Sequence, residues 1–174
     1  AKRRGLSNLR SSADCLPAYV SEKNIRLVTK RGIFTESEFR ARYEIHLDAY
    51  CKMVSIEAKT SIDMVLHQIL PAATAYTKDL CDTLTVKKSL SVPATAEEKL
   101  IARLSDTTNR LYEVCEQLKQ NMDTIPEGKE EAALYYQNVI LTGMADMRKE
   151  ADILEQLTAK SYWPYPTYSD LLFY

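Results

Sequence analysis

The sequence predicts an all-α fold: a bundle dominated by three long helices, near residues 36–86, 96–122 and 129–160. Short helices precede them and a Pro/aromatic tail follows. Three observations carry this reading. Only four Gly and six Pro occur in 174 residues, and so few breaks favour long elements. Apolar residues recur at steps of three and four over tens of residues, which is the helix period. Short apolar runs such as Asn138–Leu141 lie inside those longer periods, so length decides against strands.

Residues 1–11 read as an irregular, basic start, and Gly5–Leu9 resembles the interior of a loop, as in a piece of a longer chain. Helical patterning begins near Ser12. Pro17 marks a first turn or a break, because it has no amide proton to donate. Ser21 is placed to cap a second short helix, Glu22 to Arg31, whose Lys30 and Arg31 suit the negative end of the helix dipole. Gly32 is placed to end it as the left-handed residue beyond the cap.

Thr35-Glu36-Ser37-Glu38 has the capping-box pattern, in which hydroxyl and carboxylate each take up the other residue's amide. Twelve apolar positions follow from Tyr43 to Leu84. Their mean step is about 3.7, near the period of a straight helix. A helix over 36–86 would be roughly 76 Å long. Pro71 removes one of its hydrogen bonds and its ring clashes with the His67 carbonyl, so a kink is expected there. Thr95-Ala96-Glu97-Glu98 repeats the capping-box pattern. The seam behind it is Leu100, Leu104, Thr107, Leu111, Val114, Leu118 and Met122. The last long helix has its seam at Ala133, Tyr136, Ile140, Gly143 or Met144, Met147, Ala151, Leu154 and Leu157. Gly143 costs roughly 1 kcal/mol relative to Ala in mid-helix, and close approach of another helix is the expected reason.

The tail differs in kind. Trp163-Pro164-Tyr165-Pro166-Thr167-Tyr168-Ser169-Asp170 cannot continue a helix through its prolines. It holds the chain's single Trp. Trp163, Tyr165, Tyr168 and Phe173 carry apolar area that is costly to leave in water, Pro164 and Pro166 restrict the backbone, and Asp170 is placed to cap a last turn. The tail is therefore expected to dock, on these helices or on a neighbour.

Lys plus Arg number 23 against 24 Asp plus Glu, a net charge of −1. Such a balance supplies no long-range field for nucleic acid or anionic lipid. The four cysteines, Cys15, Cys51, Cys81 and Cys115, form no C-x-x-C pair and lie in helical stretches. They are expected to be free, mostly buried thiols in a reducing, cytoplasmic setting. No apolar run approaches the length of a membrane span and no apolar leader region follows the basic start.

Chemistry-bearing patterns are sparse. Asp63 and His67, four apart on one helix face, are the only candidate metal pair, and a helix-stabilising pair is the plainer reading. With two His in all, a closed zinc site or a di-iron Glu-x-x-His set is not expected. Nothing combines nucleophile, base and orienter, and no Gly-rich phosphate loop occurs. Accordingly no catalytic, cofactor-binding or metal-ligating residue is assigned. The candidate docking and packing residues are Trp163, Pro164, Pro166, Tyr168, Asp170 and Gly143.

Several motifs carry a resemblance. They are Leu16-Pro17-Ala18-Tyr19-Val20-Ser21-Glu22-Lys23-Asn24, Gly32-Ile33-Phe34-Thr35, Arg42-Tyr43-Glu44-Ile45, Ile56-Glu57-Ala58 and Ile69-Leu70-Pro71-Ala72. The most specific is the tail, Trp163 to Phe173. With these the chain resembles the C-terminal helical region of type III glutamine synthetases over nearly its whole length, residues 85–130 being less distinctive. The resemblance implies a large cytoplasmic, mostly bacterial ligase that joins ammonia to glutamate with ATP and Mg or Mn, assembled as stacked hexameric rings. Its metal ligands and phosphate-holding arginines lie on a β-scaffold. Asn109-Arg110 matches the Asn-Arg of a synthetase signature but lacks the downstream Arg-Ile-Pro, so it carries over no role. Residues 1–174 would then be a single C-terminal domain, a non-catalytic extension whose partners are the catalytic domain of the same chain and neighbouring subunits. The rival reading is a free-standing helical module that binds other proteins.

Overall fold

The first capping box forms as its pattern predicts. In the structure, a computed structural model that describes residues 2–172, the Thr35 hydroxyl accepts from the Glu38 amide at 3.3 Å. The Glu38 carboxylate accepts from the Thr35 amide at 2.8 Å. That amide, and then the Thr35 hydroxyl, hold the Glu38 carboxyl below its ordinary range.

Behind this box the chain is helical without a break from Glu36 to Ser89, as α3 (Glu36–Met64), a π turn (Val65–Ile69) and α4 (Leu70–Ser89). The disruption expected at Pro71 is taken up by that π turn. The Leu70 amide donates to the Val65 carbonyl, five residues back. A widened turn directly before Pro71 eases the crowding between the proline ring and the carbonyls that precede it. α4 ends in a Schellman motif. Ser91 takes a left-handed φ of 56°, its amide bonds the Lys88 carbonyl at 3.1 Å, and the Val92 amide bonds Lys87 at 2.9 Å.

The next helix, α5, spans Thr95–Asp123. Its predicted capping box does not form, because Thr95 is already the first helical residue and the Glu98 amide bonds the Ala94 carbonyl. Glu97 and Glu98 instead pair with Lys87 and Lys88 at the end of α4. The last long helix comprises α6 (Lys129–Tyr135), a second π turn (Tyr136–Ile140) and α7 (Leu141–Leu157). It stops three residues short of the expected Lys160. Two short helices open the chain, α1 (Ser12–Tyr19) and α2 (Glu22–Lys30), after a 3₁₀ turn at Lys2–Arg4. A five-residue α8 (Tyr168–Leu172) lies in the tail. No strand occurs among the described residues.

The contacts divide the chain into two compact units: residues through Ala58 with Asn121–Thr142, and Lys59–Gln120 with the chain from Gly143 on. The first has its core at Ala13 and Leu16 of α1, Tyr43 and Leu47 of α3, and Ala133 of α6. Ser11 caps α1, accepting from the Asp14 amide at 3.1 Å, and Pro17 is carried inside the helix. Ser21 makes no side-chain cap for α2. Gly32 ends α2 as expected, with φ 64° and the Ile33 amide on the Val28 carbonyl at 3.0 Å. Tyr43 donates its hydroxyl to Glu130 at 2.6 Å. Burial, then that carboxylate, push the phenol well above its ordinary range.

The second unit is built on α5, whose Leu104, Leu111, Cys115 and Leu118 are fully enclosed. Val65, Ile69, Ala73, Met147 and Leu154 are buried in the same unit. Arg110 ties α5 to α7 through Glu150, at 3.0 Å, and also pairs with Asp106 one turn earlier. The cysteines are free, but only Cys115 is buried; Cys15 is exposed and Cys51 and Cys81 are half-buried. The expectation of mostly buried thiols fails: Cys51 packs only at the margin of the first unit's core, and Cys15 lies on the surface. Among the described residues no helix is long and apolar enough to cross a membrane.

Candidate docking site

The tail leaves α7 through a turn in which the amides of Tyr162 and Trp163 donate to the Ala159 carbonyl, at 2.9 and 3.3 Å. That turn lays Tyr162 on α4. Its ring meets Tyr76 at 5.2 Å between centroids, and its hydroxyl donates to the Asp79 carboxylate. This acceptor, with burial, raises the Tyr162 phenol above its usual range. Trp163, Tyr165, Pro166 and Leu171 then line a hollow of about 260 Å³ with Met64, Ile69 and Ala151, rimmed by Arg148, Asp152 and Glu155. A second hollow of about 310 Å³ shares Met64, Ile69 and Ala151 and adds Met144 and Met147. The Tyr165 hydroxyl is enclosed with no hydrogen-bond partner among the described residues. Burial, with Asp63 near, raises its pKa.

Asp170 closes the tail, though not as the cap the sequence suggests. Thr167 is the cap residue. Its hydroxyl accepts from the Asp170 amide at 3.4 Å, and the Asp170 carboxylate accepts from the Thr167 amide at 3.0 Å. Lys160 completes the set as an ion pair to the same carboxylate. Lys160 first, then the Thr167 amide and hydroxyl, lower the Asp170 carboxyl to about 2. Pro164 and Pro166 are exposed, and Trp163 is half-buried. Tyr168 opens α8 with its backbone; Phe173 lies outside the described residues.

Sequence pattern alone does not single out Tyr162, Asp79 or Lys160, and it places Tyr76 on the apolar seam without naming its partner. Thr167 is within its reach, because Thr-Tyr-Ser-Asp has the same spacing as Thr-Glu-Ser-Glu at 35–38. The Asp79 partner has no local signal, being far away in sequence.

Gly143 faces Leu118 of α5 across a tight gap. A Cβ built there would lie 3.0 Å from Leu118 Cδ1, and Leu118 is itself buried. Asp63 and His67 stand 3.5 Å apart on one face, 65% and 72% exposed. Among the described residues no third His, Cys, Asp or Glu joins them to make a metal-binding group.

Residues 1–88 match a family model described as Glutamine synthetase C-terminal domain. The chain is 34% identical to a glutamine synthetase of Butyrivibrio fibrisolvens, 32% identical to a type-3 glutamine synthetase of Dictyostelium discoideum, and 25% identical to a glutamine synthetase of Bacteroides fragilis. Each match covers 99% of this chain and 25% of the relative, so the chain spans about a quarter of the length of the relatives it matches.

Proposed function

Because the chain belongs to the glutamine synthetase C-terminal domain family, we propose that it is the non-catalytic helical extension of a cytoplasmic glutamate–ammonia ligase. Its work is structural: it docks on the catalytic domain of the same chain and on neighbouring subunits of a homo-oligomer, and so supports assembly. The observation that carries this is the length relation. The relatives match this chain almost end to end, yet it accounts for only a quarter of each.

The parent enzyme would use ATP with Mg or Mn. The donors in this chain do not fit that group, since Asp63 and His67 gain no third ligand among the described residues, and hard divalent ions need several oxygen donors. The ligase chemistry therefore belongs to the rest of the protein. Trp163, Pro164, Pro166, Tyr168 and Asp170 serve to fix the end of the chain against its own helices. The contacts of Tyr162 with Tyr76 and Asp79 support that reading. All 174 residues act as one domain of the larger enzyme.

The test compares the full-length protein with a version that ends before residue 1 of this chain, by native mass and ligase turnover. Loss or change of the oligomer in the shortened protein is expected. An unchanged oligomer with unchanged turnover would overturn the structural role. An open reading frame that begins at residue 1 would favour the free-standing interaction module instead.

A further inference from the structure

α3 is apolar on two opposite sides. Phe39, Tyr43, Leu47, Val54 and Ala58 are buried. At 3.6 residues per turn they share one face. On the other face Ala41, Ile45, Ala49, Met53 and Ile56 follow one another at steps of four, four, four and three. All five are exposed, the three large ones by 64%, 60% and 66%. A helix at a protein surface ordinarily turns a polar side to water. A continuous apolar stripe over four turns is what an interface exposes when its partner is missing.

Three of the charged side chains beside the stripe find partners within the chain. Glu44 pairs with Lys129 at 2.6 Å, Lys52 with Asp48 at 2.7 Å, and Arg42 sits over the Phe34 ring at 4.7 Å. The stripe thus offers a partner methyl groups and a thioether, not an unpaired charge, and selects an apolar surface. The length relation identifies the occupant: three quarters of the relatives' length lies outside this chain. We propose that the Ile45–Met53–Ile56 face of α3 is the surface on which the part of the enzyme outside these 174 residues docks, through an apolar patch of its own. This rests on the reading of the chain as an extension of a larger ligase.

The experiment uses the full-length enzyme in its native state. Limiting hydrogen peroxide oxidises methionines according to their access, and peptide mass spectrometry reads Met53 and Met147 separately. Met147 is buried within the chain and serves as the internal standard. A covered stripe leaves Met53 no more reactive than Met147. In the Ile45→Glu, Ile56→Glu double variant, Met53 then reacts about tenfold faster or more, since access governs the rate. Met53 reacting first in the unaltered enzyme overturns the proposal. A benzophenone side chain placed at position 49 identifies the occupant. Cross-linked peptides from outside residues 1–174 support it, and peptides from within them, meaning a second copy of this chain, overturn it. The native polypeptide's mass separates the two failures. About 20 kDa, the mass of this chain alone, sinks the parent reading and the proposal together. A mass near four times that, with Met53 reacting first, sinks the proposal alone.

Discussion

Single residues here carry costs that can be measured. Ser91 holds a left-handed conformation at the end of α4, which an L-residue adopts at a cost of roughly 1–2 kcal/mol. Gly32 holds the corresponding place after α2 with no such cost. Ser91→Gly is therefore expected to stabilise the protein by up to about 1 kcal/mol, part of the relief being offset by the freer unfolded chain. Urea denaturation of the pair of proteins reads this, and a lower midpoint for the glycine variant would show that the serine is favoured for another reason. Gly143 presents the opposite case. Alanine gains roughly 1 kcal/mol of helix propensity there, but its Cβ would sit 3.0 Å from Leu118 Cδ1, and Leu118 is enclosed and has little room to give. The two effects should nearly cancel in Gly143→Ala. Gly143→Leu should cost about 1–3 kcal/mol by overpacking. An unchanged melting temperature for the leucine variant would mean that the gap closes without strain. The close contact is legible in the sequence because a glycine on an apolar seam sacrifices helix propensity, and a tightly packed neighbour is what offsets that loss. Ser91 is not legible, since a serine at that position carries no signal of a positive φ.

At the scale of elements, the seams are legible in the sequence; a disturbance near Pro71 is legible too, but its form as a π turn is not. Every one of the twelve positions from Tyr43 to Leu84 is buried or half-buried. Yet their mean step of about 3.7 exceeds the ideal 3.6, a surplus of roughly one residue over eleven steps. A single π turn adds an excess of about that size, and one lies within the run at Val65–Ile69. A surplus so small does not by itself separate one widened turn from the ordinary scatter of a straight helix. The tail shows the converse. Its inability to continue the helix is plain from Pro164 and Pro166, whereas its anchorage on Asp79 depends on tertiary structure alone. The final turn makes a test of that anchorage. The Asp170 carboxyl falls from 3.8 to about 2, so its support is complete above the unfolded value and is lost as pH falls from about 4 toward 2. Iodide quenching of the sole Trp, Trp163, should rise over that window. At neutral pH the variants Asp170→Ala and Thr167→Ala should show raised quenching from the start. Equal quenching in the variants and the parent would mean that the box does not hold the tail.

For the whole molecule, the expectation that this chain performs no ligase chemistry is a question of donor sets. Ligase chemistry with ATP requires several oxygen donors around each divalent ion and a cradle for phosphate. Among the described residues the acids and histidines gather nowhere in threes. Several carboxylates are already held in ion pairs that tie one helix to another: Glu150 with Arg110, Glu44 with Lys129, Glu97 with Lys87. These carboxylates face cations of the same chain, and an incoming divalent ion would have to displace a lysine or an arginine from each. Asp63 and His67 stand together largely in water, where two ligands hold a metal weakly and orient nothing around it. The expectation is that this chain alone forms no glutamine and no γ-glutamyl hydroxamate with ATP and either Mg or Mn. Circular dichroism would confirm that the preparation is helical, and the full-length enzyme would serve as the positive control. Turnover that survives removal of host enzyme and disappears in Asp63→Asn or His67→Ala would reverse the assignment, placing a catalytic metal on the outer face of α3 and its π turn. Turnover untouched by both substitutions would point to contamination by the host ligase, which a tagged chain purified from a ligase-deficient strain distinguishes directly.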